Sequence, residues 1–451
     1  MKGAGSRALA RFVAAAVVVI AAAARAATHV DGRAGERVGV AQDGEHAPDE
    51  ARPVTGRALP ELAPLDRMMT AFMDAHDVPG AALAVARDGK LVYARGFGHA
   101  RGFGRTDRER ARPVEPTSRF RIASVSKPLT AVCVLQLVEA GRFELDTPLV
   151  ELIDLPDGTA FADSRIGRIT VQDVLWHRGG WDRGASFDPM FATRRIVREQ
   201  RPDGPLDSPP TKGEIRDFVL ARPLDHDPGL RYTYSNFGYL LLGLAIESTS
   251  GQDYANYATE HVLEPIGVRH MQLGRSLPAD RPADEVEYDG RGRTGRSVFG
   301  APPGAIVAAP DGSFQLEVMD AHGGWIASAP DLVRFASAVD LAGANLLAPE
   351  SVAAMVARPP GSEDARVWYG CGWSVRDVDG ESARNLWHTG ALPGTSALLV
   401  ARHDGFVWAV LFNAREGEGG RDLAALIDPL VHRAVDAVED WPEDDLFDEL
   451  D

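Results

Sequence analysis

Lysine is nearly absent from this chain. Of 48 basic residues only Lys2, Lys90, Lys127 and Lys212 are lysines, and the rest are arginines. Arginine keeps its proton in proteins, so chemistry that needs a neutral amine is confined to four positions. Positive charge is short overall: 65 acidic residues give a net charge of −17. That excludes the basic footprint with which a nucleic-acid binder displaces counterions, so no nucleic-acid partner is expected. Cysteine is limited to Cys133 and Cys371. Cys133 lies in the apolar run Ala131-Val132-Cys133-Val134-Leu135, and two buried free thiols are expected in preference to a bridge. There is no CxxC or HExxH pair and the 12 histidines are scattered; neither a metal nor another cofactor is expected. The apolar run Phe12 to Ala24 holds 13 residues, short of the roughly 20 that cross a bilayer. No membrane span is expected in the mature chain, and no internal repeat is visible.

What is present fits a globular protein. The 451 residues are 45% hydrophobic and 25% charged, enough for one large or two interleaved domains. Lys2, Arg7 and Arg11 precede the apolar run, and Ala24-Arg25-Ala26 follows it as a small-x-small site. Residues 1–26 therefore read as a secretory signal, with an uncleaved anchor as the alternative, and a periplasmic or extracellular location is expected. Residues 27–55 are polar with scattered Gly and Pro and read as a linker. Residues 56–436 form the expected domain. Residues 437–451 form an acidic tail, expected to be solvated, with eight acidic residues from Glu439 to Asp451.

Within the domain, Leu65, Met68, Met69, Phe72 and Met73 have the spacing of an amphipathic helix over Leu62–His76. Ala81–Ala86 and Leu91–Ala94, split by Arg87-Asp88-Gly89-Lys90, predict a hairpin. Trp368–Val375, Asn385–Thr389, Ser396–Arg402 and Phe406–Asn413 predict strands. Leu423 to Ala434 predicts a closing helix, with Pro429 a point where it can kink. From about residue 124 to 340 the patterns are mostly helical. The fold class predicted is α/β of the α+β type: a mainly antiparallel sheet flanked by the terminal helices, with a helical region inserted. A ligand site is expected where the two parts meet.

Three short motifs carry chemistry. In Ser124-Val-Ser126-Lys127, ahead of a long apolar helix, Lys127 falls one turn after Ser124 on the same face. A desolvated lysine can take the proton of a serine hydroxyl and make it a nucleophile; the plainer alternative is a serine cap with a solvated lysine. In Tyr234-Ser235-Asn236, ahead of the helix from Phe237, the phenol could relay a proton and the amide could hold a substrate carbonyl. The alternative is a cap by Ser235 or Asn236 with Tyr234 in the core. In Trp387-His388-Thr389-Gly390-Ala391, at a strand end, Gly390 permits close approach of a substrate backbone and His388 and Thr389 add polar contacts. The alternative is an ordinary strand end before the turn at Pro393-Gly394.

In this order the three motifs resemble the S-x-x-K, Y-x-N and H-T-G triplets of the serine β-lactamase and penicillin-binding-protein superfamily. The resemblance extends to Phe120-Arg-Ile-Ala-Ser124, to the stretch from Asp227-Pro-Gly to Gly243, and to Gly323-Gly-Trp-Ile-Ala-Ser-Ala-Pro-Asp331. Tyr234-x-Asn236 with His388-Thr-Gly390 is similar to the class C and D,D-carboxypeptidase/esterase branch. The resemblance implies that Ser124 is acylated, Lys127 takes its proton, and Tyr234 is the acid/base partner. It implies that Asn236 anchors substrate and that His388, Thr389 and Gly390 line the site. The backbone N–H groups of Ser124 and Ala391 would form the oxyanion hole.

Two departures bear on substrate. His388 stands where β-lactamases commonly carry lysine, which removes a fixed cation for a substrate carboxylate. An arginine could replace it, but with 44 arginines the sequence does not choose one. His177-Arg-Gly-Gly-Trp181 also departs from the usual histidine-threonine-serine-glycine stretch. The expectation is an exported serine hydrolase of D,D-carboxypeptidase or esterase type acting on a small-molecule or peptidoglycan-type substrate. A β-lactamase, or a penicillin-binding-like sensor without turnover, are the alternatives.

Overall fold

The computed structural model describes residues 52–101, 111–204, 207–300, 304–340, 346–378 and 383–450. The expected signal, residues 1–26, and most of the expected linker lie outside these. The described chain begins with β1 (Val54–Thr55) and α1 (Ala63–His76). The hairpin β2 (Gly80–Arg87) and β3 (Lys90–Arg101) follows, with β4 (Arg112–Pro113) pairing to β3. The inserted part holds β5 (Phe120–Arg121), α2 (Ser126–Glu139), α3 (Lys212–Leu220) and α4 (Asn236–Ser250). It continues through β6 (Gln272–Leu273), β7 (Thr294–Arg296), β8 (Ile306–Ala308), α5 (Asp320–Gly323), β9 (Trp325–Ala327) and α6 (Ala329–Asp340). The chain then returns to the sheet with β10 (Val367–Tyr369), β11 (Ser374–Asp377), β12 (Arg384–Leu392), β13 (Thr395–Ala401) and β14 (Phe406–Phe412), and closes with α7 (Leu423–Asp436).

The main sheet runs β1-β3-β2-β14-β13-β12-β11-β10, antiparallel throughout. Its central strands are apolar at nearly every position because both faces are covered. Alternate residues sort between two cores: Ala81, Leu83, Val85, Trp408 and Val410 pack with Met69, Phe72, Leu423 and Ile427 under the terminal helices. Ala82, Ala84, Ala86, Ala397 and Ala409 face the inserted part. Their small side chains let α6 lie close to the sheet. The closing helix runs on through Pro429.

Several boundaries differ from the sequence expectations. Trp368–Val375 is not one strand but the hairpin β10–β11, with Tyr369 paired to Ser374. The turn passes through Gly372, at φ 78° and so close to α2 that a Cβ there would sit 2.9 Å from the Lys127 carbonyl oxygen. Val54 and Thr55, within the expected linker, pair with Phe97 and Gly96 of β3. The acidic tail is anchored by apolar residues: Val438, Leu446 and Phe447 are buried. The Leu446 N–H donates to the Leu91 carbonyl at 2.8 Å, and the Asp445 carboxylate accepts the Leu91 N–H at 3.0 Å. Both cysteines are free and buried.

Candidate active site

Ser124 stands in a tight turn between β5 and α2. Ala123, just before it, has φ 47°, a left-handed conformation that strains a residue with a Cβ. Neither helix start here has a side-chain cap; the Ser126 hydroxyl donates to the Ala123 carbonyl instead. The plain serine-cap alternative therefore does not describe Ser124, nor is its lysine solvated. Upstream, Arg121 fixes the turn. Its guanidinium is fully buried and donates to the carbonyls of Pro310 and Arg275 at 2.7 and 2.8 Å, with Glu285 3.7 Å away.

Lys127 is fully buried on the first turn of α2. Its Nζ lies 2.8 Å from Asn236 Oδ1, 2.8 Å from the His322 carbonyl oxygen and 3.2 Å from Ser124 Oγ. Burial, then the charge of Arg183, holds its pKa well below that of an ordinary lysine against the opposing pull of Asp188. A neutral amine has two N–H donors and one lone pair. In that neutral form, with the donors on the two neutral acceptors, the lone pair falls to the Ser124 hydroxyl.

The Tyr232–Asn236 segment is cradled by the His177–Trp181 stretch that departs from the family pattern. The Thr233 N–H donates to the His177 carbonyl at 2.8 Å, the Ser235 N–H to His177 Nδ1 at 3.2 Å, and the Thr233 hydroxyl to the Trp181 carbonyl at 3.0 Å. Ser235 caps α4 by accepting the Gly238 N–H at 3.1 Å, so the capping alternative holds alongside the chemical one. Tyr234 lies beneath Lys127, whose Nζ is 4.7 Å from the ring centre. Burial pushes the Tyr234 pKa up to about 12, against the opposing effects of Arg183 and of a hydrogen bond with Ser124. Its phenol is therefore protonated at neutral pH.

Asn236 is more fully engaged than a free substrate anchor. Its Oδ1 accepts from Lys127, and its Nδ2 donates to Asp188 at 2.7 Å. One amide N–H at most is left for a substrate.

The third motif reaches Ser124 from the sheet. A Cβ on Gly390 would sit 2.0 Å from the Ile122 carbonyl oxygen and 3.1 Å from the Ser124 nitrogen. Only glycine lets β12 approach so near. Thr389 is exposed and Ala391 pairs with Ser396. His388 is buried, with Nε2 2.9 Å from the Tyr369 hydroxyl and Nδ1 2.7 Å from the Thr389 carbonyl oxygen. Burial, then Lys127, brings its pKa down to about 3, so it is neutral and supplies no cation.

A cation does lie beside the motifs: Arg183, which the sequence did not single out. Its guanidinium carbon lies 4.7 Å from the Tyr234 ring centre and its Nη1 3.8 Å from Asp188 Oδ2, with the side chain 26% exposed. Both Arg183 and Asp188 lie in the polar stretch after Trp181. Nothing in that stretch distinguishes them from neighbouring charges, and only the folded loop brings them to the motifs. Among the described residues no cluster of His, Cys, Asp or Glu could hold a metal.

The Beta-lactamase family model matches residues 65–432. A probable fimbrial assembly protein of Dichelobacter nodosus, FimD of serogroup H1, is 35% identical over 40% of each chain. A putative D-alanyl-D-alanine carboxypeptidase of Escherichia coli O157:H7 is 27% identical over 57% of this chain and 56% of its own. Penicillin-binding protein 4 of Amycolatopsis lactamdurans is 29% identical over 75% and 81%. The chain thus spans about half or less of the length of several curated relatives it matches. Among solved structures, the D-amino acid amidase of Ochrobactrum anthropi SV3 shares the fold, with a TM-score of 0.60 at 22% identity over 84% and 97% of the two chains. The triplets, the fold and the match over most of its length agree: the chain belongs to the β-lactamase family of serine hydrolases.

Proposed function

We propose that this protein is an exported hydrolase that cleaves an ester or amide through an acyl-Ser124 intermediate, with D,D-carboxypeptidase-like or esterase specificity. The observation that carries this is the geometry of Lys127. Its buried Nζ lies 2.8 Å from each of two neutral acceptors and 3.2 Å from the Ser124 hydroxyl, so that in its neutral form the lone pair falls to that hydroxyl. In acylation the Ser124 proton passes to Lys127 Nζ as Oγ attacks the carbonyl carbon. The oxyanion forms against the backbone N–H groups of Ser124 and Ala391. Tyr234, protonated at neutral pH, donates to the leaving group, and water then releases the acyl group. The two groups are suited to opposite roles because one pKa is pushed down and the other up. A neutral His388 weakens the β-lactamase alternative, since the third motif then offers no fixed charge to a carboxylate.

The test uses purified protein and Ser124→Ala with a fluorescent β-lactam, a p-nitrophenyl ester and a D-Ala-D-Ala peptide. Turnover of ester or peptide by wild type and its loss in the variant are expected. Labelling of Ser124 without turnover would make the protein a sensor. Neither labelling nor turnover, or full activity in Ser124→Ala, would overturn the assignment.

A further inference from the structure

Asp188 touches neither Ser124 nor Lys127 directly, yet its carboxylate is fixed from two sides. Oδ1 accepts the Met190 N–H at 3.1 Å, capping the short helical turn Pro189–Phe191, and Oδ2 accepts from Asn236 Nδ2 at 2.7 Å. The side chain is 13% exposed, and Arg183 lies 3.8 Å from Oδ2. A carboxylate can only accept, so it admits one orientation of the facing amide, with Nδ2 toward Asp188 and Oδ1 toward Lys127. The reversed amide would set oxygen against carboxylate on one side. On the other it would offer Lys127 a donor, which the amine could meet only with its lone pair.

We infer that Asp188 is a positioning residue: by fixing which end of the Asn236 amide faces Lys127, it keeps the lysine's lone pair on Ser124. The inference rests on the serine–lysine chemistry proposed above. The chain of contacts runs Met190 N–H to Asp188, Asn236 to Asp188, Lys127 to Asn236, and Ser124 to Lys127, with each donor matched to one acceptor.

The discriminating substitution is the near-isosteric one. In Asp188→Asn the new amide can still accept the Met190 N–H, but it then turns its own NH2 on Asn236 and drives that amide to reverse. Its kcat for an ester should fall about 10²-fold, the scale of loss from misplacing a reacting group, with KM unchanged. Exchanging the pair, Asp188→Asn with Asn236→Asp, rebuilds the contacts with the polarity carried by the other residue. Activity should return to within about tenfold. It should do so only at higher pH, because a carboxylate now touches Lys127 and favours its charged form.

The other groups facing that amine are unchanged in the exchange. They are Arg183 of the loop, His177 and His322, Tyr234 and Tyr239, and His388 of β12. An upward move of the acid limb of kcat/KM thus reports the new contact. An Asp188→Asn enzyme within threefold of wild type, or one that the exchange rescues at no pH, would overturn the inference.

A second readout needs no turnover. With four lysines in the chain, selective 13Cε labelling resolves the Lys127 amine by NMR. It should titrate lowest in Asp188→Asn and highest in the exchanged pair, and an unmoved titration would also overturn the inference. If wild type hydrolyses none of the probes, the NMR titration still decides the role of Asp188 while the hydrolase assignment alone fails.

Discussion

Two of the four lysines are held by the same short helix, and they are held in opposite ways. Asp320 opens α5 and its Oδ2 lies 2.7 Å from Lys212 Nζ, with Glu247 Oε1 at 2.6 Å on the other side. His322, two residues on, offers Lys127 a backbone carbonyl. Burial alone would lower the pKa of Lys212, but the two carboxylates outweigh it and the pKa is raised. Lys127 is buried more completely and touches no carboxylate, and its pKa is lowered. One amine is held as a cation and the other has the lowered pKa that the proposed base needs, and what separates them is the charge of their acceptors. Local backbone follows the same division. Lys212 starts a helix with a complete capping box of Thr211 and Glu214, whereas Lys127 follows a strained, uncapped turn.

Substituting each lysine by methionine should break the comparison most sharply. Lys127→Met removes the proton acceptor, and kcat/KM should drop about 10²–10⁴-fold, the usual worth of a general base. Its urea-unfolding midpoint should not collapse, because no charged partner is stranded. Lys212→Met strands Asp320 and Glu247 together and should cost about 3–5 kcal/mol of stability, read from the same unfolding curves. Its kcat should stay within a few-fold of wild type. Equal losses of activity in the two variants would erase the distinction.

Burial in the same site also acts on His388. In the unfolded chain this imidazole takes up a proton near its ordinary pKa of about 6.5, whereas in the folded protein it resists protonation until about 3. The unfolded state thus binds more protons across that window, and stability falls as pH drops through it, by up to about 1.4 kcal/mol per pH unit for this one group. His177 and His322, also buried with lowered pKa values, add to the same trend. His388→Gln should flatten the fall in thermal midpoint between pH 6 and 3. It should leave the pH–rate profile from pH 6 to 9 in place, since the imidazole is neutral there. A limb that moves in that range would show His388 titrating during turnover.

How much of this could be read in advance follows from range. The apolar runs of the strands, the terminal helices and the one-turn spacing of Ser124 and Lys127 are local patterns, and each matches the folded chain. The three motifs were legible because each is a run of adjacent residues. Lys212, by contrast, sits in a polar stretch, and nothing nearby in sequence shows that Glu247 and Asp320 will close on it. Arg183 and Asp188 were hidden the same way, among many charges in a loop whose path only tertiary packing sets. The β10–β11 turn was missed because Trp368 to Val375 is apolar enough to pass for one strand, while Gly372 needs a left-handed φ to let the hairpin press on α2. The acidic tail was read as solvated because its few apolar residues, Leu446 and Phe447 among them, are outnumbered by charges, yet they bury and dock it against Leu91.

The smallest effect expected concerns the strain that distinguishes the Lys127 end of the comparison. Ala123 holds φ 47° directly before the nucleophile, a conformation that costs a residue with a Cβ roughly 1–2 kcal/mol and glycine almost nothing. Ala123→Gly relieves that cost but gives back about 0.5–1 kcal/mol through the greater freedom of the unfolded chain. The net gain should lie between zero and about 1.5 kcal/mol in denaturant unfolding. If the turn matters only for folding, activity should be unchanged. If its strain serves to aim the Ser124 hydroxyl at Lys127, the same variant should lose several-fold in kcat while becoming more stable. Such opposite signs would place the strain in the service of the site, on the side of the molecule that lacks the caps and ion pairs Lys212 enjoys.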